Sequence, residues 1–331
     1  MEKEILCAFS SNSRNLYKAD IYRALSMPEG YILHFRYKSK YVDDRIKQDH
    51  TTLVGKKVYI FYAINENGEI KECISVREAI INHIEHSKDT DLYHIYMKLG
   101  EFAEAEINIE NKKIYFGYNK LLDKKSVEWK NRIDKIKDFF DQNIIYFFIK
   151  SISKKGGKIQ EIKNKEKYSY YELTQGQEYS LNLALANPIV EIGSSIDNSL
   201  LIETNNDDIV INYFKAIELS AQYDDIEIPL FVKYSDYPNI KTYIIFKPQF
   251  EDNKIAEFIS FIKIEKQKNL KRSIKFGLFS ILALIGFFLV KNNSQSLQII
   301  DLNSNINFAL IIGFILILCS AAGLHYYFNK K

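Results

Sequence analysis

The chain has 331 residues, with 45 Lys and Arg against 42 Asp and Glu and a formal net charge of +3. Nine of the basic residues and two of the acidic ones lie from Lys263 onward, so the body before it carries about −4 and the C-terminal end about +7. A slightly acidic body makes nucleic acid an unlikely partner for the body as a whole, because such binding neutralises several phosphates. Three cysteines (Cys7, Cys73 and Cys319) exclude a disulfide framework and are typical of a reducing compartment.

Residues 1–118 are predicted to form a small β-barrel or a compact β domain. Strand candidates rich in β-branched and aromatic residues are 31–37, 57–64, 69–76, 92–99 and 104–109, and Asn67-Gly68 is a hairpin signal. Closure of the sheet is the usual way for many short antiparallel strands to hide their edges. Helices are predicted at 15–25 and at 77–86.

A connecting segment at 119–143 is predicted to contain an amphipathic helix. Trp129, Ile133, Ile136 and Phe140 recur at helical spacing, and Ser126 is the predicted N-cap. From 144 to 250, turn signals recur along a series of short strands, which is typical of a β-sandwich of immunoglobulin-like kind. The cytosolic body is therefore expected to be mainly β.

The C-terminal end is predicted to be helical and to cross a membrane. A basic juxtamembrane helix is expected at 251–274 and a two-helix transmembrane hairpin at 275–331, because apolar runs extend over 276–290 and 306–328. The first run is short for a hydrocarbon core of ~30 Å. Lys and Arg flank the hairpin on its outer ends, so both termini of this two-pass protein are expected in the cytoplasm, below the inner membrane of a bacterium.

Two sets of residues in this end are candidates for contacts. Six basic residues would contact anionic lipid, although such charges also serve simply to set topology: Lys263, Lys266, Lys268, Lys271, Arg272 and Lys275. Six small residues predict close helix packing, within one hairpin or between chains: Gly277, Ala283, Gly286, Ala309, Gly313 and Gly323.

Signatures of catalysis are missing from the sequence. It has no Gly-rich phosphate loop, no His-Glu-x-x-His and no Gly-x-Ser-x-Gly, so we predict no catalytic residue and no cofactor. His83 and His86 would share one face of a helix at 77–86, with His94 or Asp91 as a third ligand, which makes the three histidines the candidates for a metal site. Local crowding of histidines on a polar helix end accounts for them as well.

In the order of its parts, the chain resembles membrane effectors of bacterial antiviral defence systems, in which a cytosolic β-rich region controls a two-helix membrane hairpin. The resemblance implies that a sensed ligand or partner protein makes the chains self-associate, and that the clustered hairpins perturb the inner membrane. We therefore predict a membrane-anchored, non-enzymatic binding and sensing protein. The alternatives are a membrane-anchored hydrolase with a loop-built site, for which His34 and Asp43 are further candidates, and a scaffold or adaptor without an output of its own.

Overall fold

The computed structural model describes most of the chain up to residue 293 and a short part beyond it. The described residues are 4–67, 69–108, 113–140, 144–187, 199–205, 207–211, 216–217, 223–234, 241–249, 256–267, 270–293, 312 and 315–321. The chain divides into two compact units, Met1–Gln267 and Lys268–Lys331.

Five strands of the first unit close into a barrel, and a sixth lies beside them. The strands of this sheet are β1 (Glu4–Ser11), β2 (Ile32–Lys38), β3 (Lys57–Glu66), β4 (Glu69–Ser87), β5 (Leu92–Asn108) and β6 (Phe116–Ser126), in the order β2-β5-β4-β3-β1-β6 with a further β5–β6 pairing. The long strand β5 makes the closure possible, because its first half pairs with β4 and β2 and its second half pairs with β6.

Strands β1 and β3 are buried on both faces, which explains their nearly continuous apolar sequences. Ile5, Cys7 and Phe9 of β1 belong to a small core on one face of the sheet, whereas Leu6 and Ala8 belong to the main core on the other face. Strand β3 divides its side chains between the two cores in the same way. Because successive side chains of a strand point to opposite faces, one strand can serve both cores.

The described part of the first unit contains three α-helices: α1 (Asn15–Ser26), α2 (Asp44–Gln48) and α3 (Trp129–Ile136). The Tyr22 ring of α1 contacts Tyr146, Phe147 and Phe258, which come from later parts of the chain. Helix α3 begins with a capping box, in which Glu128 and Asn131 bond to each other's backbone. The predicted N-cap, Ser126, instead ends β6.

Two further sheets share the main core. Their strands are β7 (Tyr146–Lys154), β8 (Ile162–Asn164), β9 (Ser169–Thr174), β10 (Glu178–Ala186), β11 (Ser199–Thr204), β12 (Ile209–Ile211), β13 (Ala216–Ile217), β14 (Tyr223–Val232), β15 (Lys241–Gln249) and β16 (Ser260–Gln267). One sheet has the order β12-β14-β10-β7, and the other has the order β13-β11-β15-β16-β9-β8. The Phe147 and Phe246 rings stack across them at 4.8 Å.

Two helices predicted from the sequence are strands. Residues 77–86 lie in β4, and 260–267, within the predicted basic juxtamembrane helix, form β16. In β4 the side chains alternate between the core and the surface around two irregularities in the pairing with β5. These irregularities shift the period of two, which made the pattern resemble a helical one.

The prediction of a transmembrane hairpin over 275–331 is wrong. Helix α4 spans Leu270–Asn293, and helical backbone recurs at 312 and 315–321. Within the described part of the chain, no helix combines the length and the apolarity needed to cross a bilayer. The two-pass topology and the placement in a bacterial inner membrane are corrected with it.

Candidate ligand-binding site

A slit separates the lower halves of β4 and β5. The two strands pair from Ser87 and Leu92 as far as Arg77 and Phe102, and from there the described residues of β4 pair with β3 and those of β5 with β6. The Ser75 hydroxyl marks the closed end of the slit. It donates a hydrogen bond to the Ala103 carbonyl (3.1 Å) and accepts one from the Ala105 N–H (2.8 Å), and so replaces one step of the ladder.

A cavity of about 430 Å³ opens at this slit. Its lining consists of residues 71–75 of β4, residues 104–107 of β5, Asp123 and Lys125 of β6, and Arg132 and Lys135 of α3. Such a volume lies within the range of about 300–1,000 Å³ that is usual for small-ligand sites. Most of the charged residues around it are exposed, whereas Arg132 is 1% exposed.

Arg132 is a buried cation with incomplete hydrogen bonding. One terminal nitrogen donates to the Ser75 carbonyl at 3.1 Å, and the other lies 3.4 Å from the Glu104 carboxylate. Its Nε is buried and has no hydrogen-bond partner among the described residues. Burial lowers the pKa of the Arg132 guanidinium. A buried polar group of this kind is costly unless it is paired, so the site favours a further acceptor at Arg132.

Three cations converge on the single carboxylate of Glu104. Lys125 lies 3.0 Å from it and Arg132 lies 3.4 Å from it, and Lys135 also forms an ion pair with it. Glu104 thus gathers three cations at one point of the lining. The lining as a whole is balanced in charge, with four basic residues (Lys71, Lys125, Arg132 and Lys135) and four acids (Glu72, Glu104, Glu106 and Asp123), and all of them except Arg132 and Glu104 are exposed and screened by solvent.

Helix α3 holds the cationic groups in place. Trp129, Ile133 and Ile136 are buried in the main core, and the Trp129 indole N–H donates to the Leu25 carbonyl of α1 at 3.1 Å. Arg132 lies on the same stripe, three residues after Trp129 and one before Ile133, and is turned toward the slit. An arginine within an apolar helical stripe was the sequence signal for this site, and the prediction from sequence overlooked it.

The histidines predicted as metal ligands lie on strands and do not converge. His83 and His86 are in β4, where His83 lies 3.7 Å from Glu85 and His86 lies 3.5 Å from Asp91. His94, on β5, instead meets His34 of β2, with their ring nitrogens 3.0 Å apart. In the described part of the chain, no group of three or more His, Cys, Asp or Glu is arranged to hold a metal ion.

The lowered pKa of His34 in the His34–His94 pair can be tested through the pH dependence of stability. Burial is the largest cause that lowers the pKa of His34 to about 4; His94, Arg36 and Lys167 lower it further, and Glu85 opposes them. Between about pH 6.5 and about pH 4, His34 is therefore protonated in the unfolded chain but neutral in the folded chain. The free energy of unfolding falls as the pH drops through this range. We expect the urea midpoint of the His34→Gln variant to fall less between these pH values than that of the wild type.

The wild type and the His34→Gln variant are compared by urea unfolding at several pH values. Many carboxylates also contribute to acid sensitivity, so the difference between the two proteins isolates the contribution of His34. A His50→Gln variant is the control, since His50 contacts the Tyr93 ring and makes no contact with the His34 pair. Equal pH dependence of the wild type and the His34→Gln variant would contradict the assignment.

The other predicted residues are scattered. Asp43 bonds to the backbone of α2 and pairs with Arg45. Lys263 and Lys266, predicted lipid contacts, are buried in β16, where Lys266 pairs with Asp208 at 2.6 Å.

The remaining predicted contacts belong to the second unit. Lys271, Arg272, Lys275, Gly277, Ala283 and Gly286 are in α4, whereas Lys268, Ala309, Gly313 and Gly323 lie outside the described residues. For Lys271, Arg272 and Lys275 the backbone alone is described. Of the three small residues in α4, Gly286 is buried.

No family model and no curated protein matches this chain. The resemblance to antiviral-defence effectors, with its clustering step, therefore stays a prediction.

Proposed function

We propose that the chain is a non-enzymatic binding protein, and that the cavity at the β4–β5 slit receives a small oxyanion such as a phosphate or a carboxylate. The observation that carries the proposal is Arg132, which lines the cavity with a buried guanidinium whose Nε has no hydrogen-bond partner among the described residues. A charge-assisted hydrogen bond donated by Arg132 to an oxyanion would satisfy this group, and guanidinium geometry suits planar or tetrahedral oxyanions.

The charges around Arg132 support the same ligand class. Lys125 and Lys135 share Glu104 with Arg132, so a second anion would be bound by cations that are already gathered at one place. The cationic groups come from α3 and β6, while Ser75 and Glu104 fix the slit between β4 and β5. A ligand bound here would contact three strands and α3, and its presence would stiffen the open side of the barrel.

The lining supports binding in preference to covalent chemistry. Cys73 is its thiol, and burial raises the pKa of Cys73 to about 12, so the weakly nucleophilic protonated form dominates at neutral pH. The carboxylate of Glu104 is already engaged by three cations, which makes it a poor general base.

The proposal is tested by isothermal titration of the full chain with inorganic phosphate, pyrophosphate and citrate. We expect at least one probe to bind saturably, and Lys135→Ala to weaken that binding by about tenfold, since it removes one charge-assisted contact. Lys135 is 53% exposed, so its replacement leaves the core intact. Arg132→Lys is a second variant, which keeps the positive charge but loses the guanidinium.

The matched control is Lys155→Ala. Lys155 is also an exposed lysine paired with a glutamate, Glu178, but it lies outside the cavity lining. Failure of all three probes to bind the wild type would overturn the proposal, and so would an equal loss of affinity in the Lys155→Ala and Lys135→Ala variants.

A further inference from the structure

The outward face of β2, β5 and β4 forms a second surface, independent of the cavity. The strand register places His34, Tyr96 and His83 in one row across the three strands, and Arg36, His94 and Glu85 in the next. The residues between them along the strands, such as Phe35 and Ile95, are buried in the main core. The two rows therefore belong to the face that points away from that core.

His34 and His94 form one flat platform. Their planes differ by 15°, their nearest nitrogens are 3.0 Å apart, and their ring centroids are 5.2 Å apart. The centroid distance exceeds the nitrogen distance by about the radii of two imidazoles, which is possible only if the rings meet edge to edge in nearly one plane. One nitrogen donates and the other accepts, so the hydrogen bond holds two rings as a surface about as wide as a purine.

Tyr96 supports this platform from one side. Its ring stacks on His34 at 4.4 Å with an angle of 8°. Among the described aromatic contacts, no ring stacks on the opposite side of the His34–His94 plane. A nucleobase has the size and flatness to stack there, and such stacking tolerates any base, because every base has a π face.

Basic side chains surround the platform. Arg36, Lys38 and Lys98 are exposed and occupy the same outward positions of β2 and β5. Lys167 lies 5.8 Å from the Tyr96 ring centroid, and Asn82 of β4 holds the neighbouring loop by donating to the carbonyls of residues 165 and 166.

Two of the acids near this face have basic partners. Glu85 is paired with Lys167, and Asp20, which lies near Arg36, is paired with Arg23, whereas Glu166 adds one negative charge beside Lys167. The face is thus locally basic although the body as a whole is slightly acidic. Several phosphates spaced along a strand would suit these separated cations better than one phosphate would.

We infer that this face binds single-stranded nucleic acid, with a base stacked on the His34–His94 pair and the backbone phosphates beside Arg36, Lys98 and Lys167. The expectation that nucleic acid is a poor partner concerned the charge of the whole body, and the local surface departs from it. This inference does not depend on the oxyanion cavity, whose residues it does not use.

Fluorescence anisotropy of the full chain with labelled 12-nucleotide oligo-dT and oligo-U tests the inference, with AMP as competitor. We expect the dissociation constant to rise steeply with salt, Arg36→Gln to reduce the salt slope by about 1, and His34→Ala to weaken binding by about tenfold or more. The control is Lys130→Gln, because Lys130, like Lys167, lies over a tyrosine ring, that of Tyr223, at 5.2 Å but belongs to α3.

Circular dichroism and thermal melting establish that each variant is folded, and Arg36→Gln, an exposed replacement, remains informative if His34→Ala does not fold. Absence of oligonucleotide binding at low salt would overturn the inference. So would equal weakening by Lys130→Gln and Arg36→Gln. AMP binding as tightly as the 12-nucleotide strands would also overturn it, since it would indicate a site for free nucleotides.

Discussion

Replacement of Arg77 by methionine is expected to lower the free energy of unfolding by about 3 kcal/mol. Arg77 is 1% exposed and donates to three backbone carbonyls, those of Gly100, Ala24 and Met27. Two of these carbonyls lie at the C-terminal end of α1, where the helix dipole favours a cation. Methionine fills a similar volume but leaves the three carbonyls buried without this donor.

The guanidinium also lies beside two aromatic rings, since its central carbon is 4.3 Å from the Phe102 centroid and 5.7 Å from that of Phe148. Burial lowers the pKa of Arg77 to about 9, so the side chain still carries its charge at neutral pH. The loss is measured by urea unfolding at pH 7. Arg45→Met is the control, because Arg45 is 54% exposed and its ion pairs are expected to contribute less than about 1 kcal/mol. A loss below 1 kcal/mol for Arg77→Met would contradict the role of this arginine as a cap of α1.

Replacement of Trp129 by alanine is expected to cost about 3–5 kcal/mol, as is usual for a large aromatic side chain removed from a core. Trp129 is 6% exposed, packs beside Phe148 and bonds to the Leu25 carbonyl. Because it fixes the first turn of α3, its loss would also release Arg132 from the slit. We therefore expect the same variant, at a temperature where it remains folded, to bind the oxyanion probes more weakly.

Two further variants separate packing from hydrogen bonding. Trp129→Phe keeps most of the ring volume and removes the indole N–H, and it is expected to cost about 1 kcal/mol. Ile159→Ala, at a side chain that is 61% exposed, should change stability by less than about 0.5 kcal/mol. The unfolding of all three variants in denaturant is followed by circular dichroism, whose signal does not require the tryptophan. Similar stabilities of Trp129→Ala and Ile159→Ala would show that α3 is not anchored by its tryptophan.

Local sequence patterns predict several elements of this fold well. The β-branched and aromatic run at 57–64 falls within β3, the helix expected at 15–25 matches α1, and the apolar stripe after Trp129 matches α3. In each case, neighbours along the chain and one buried face determine the structure, so a pattern of a few residues is sufficient.

The errors arise where distant strands decide the structure. The histidines of β4 follow a helical spacing because irregular pairing with β5 displaces them, and β16 is a strand because it lies between β15 and β9. The basic end of β16 was expected at a membrane, but Lys266 is buried against Asp208. No local pattern encodes such partners, since they lie tens of residues away.

The candidate site was missed for the same reason. Its slit exists because β5 changes partner near Phe102, from β4 to β6; the sequence marks this point with Gly100 and predicts two strands, 92–99 and 104–109, where one continuous strand changes partner. Arg132 also left a trace, as a charged residue on an apolar stripe. The position of Glu104 beside Lys125 and Lys135 follows from the closure of the barrel.

The last strand of the first unit has a consequence for how the chain folds during synthesis. Arg23 of α1 donates to the carbonyls of Glu257 and Ile259, and Tyr31 donates to that of Phe261, across more than 200 residues of sequence. Contacts of such high order form slowly, and translation proceeds at roughly 5–20 residues per second. During synthesis, the apolar face of α1 therefore lacks its final partners for many seconds. We expect chaperones to bind the nascent barrel in this interval.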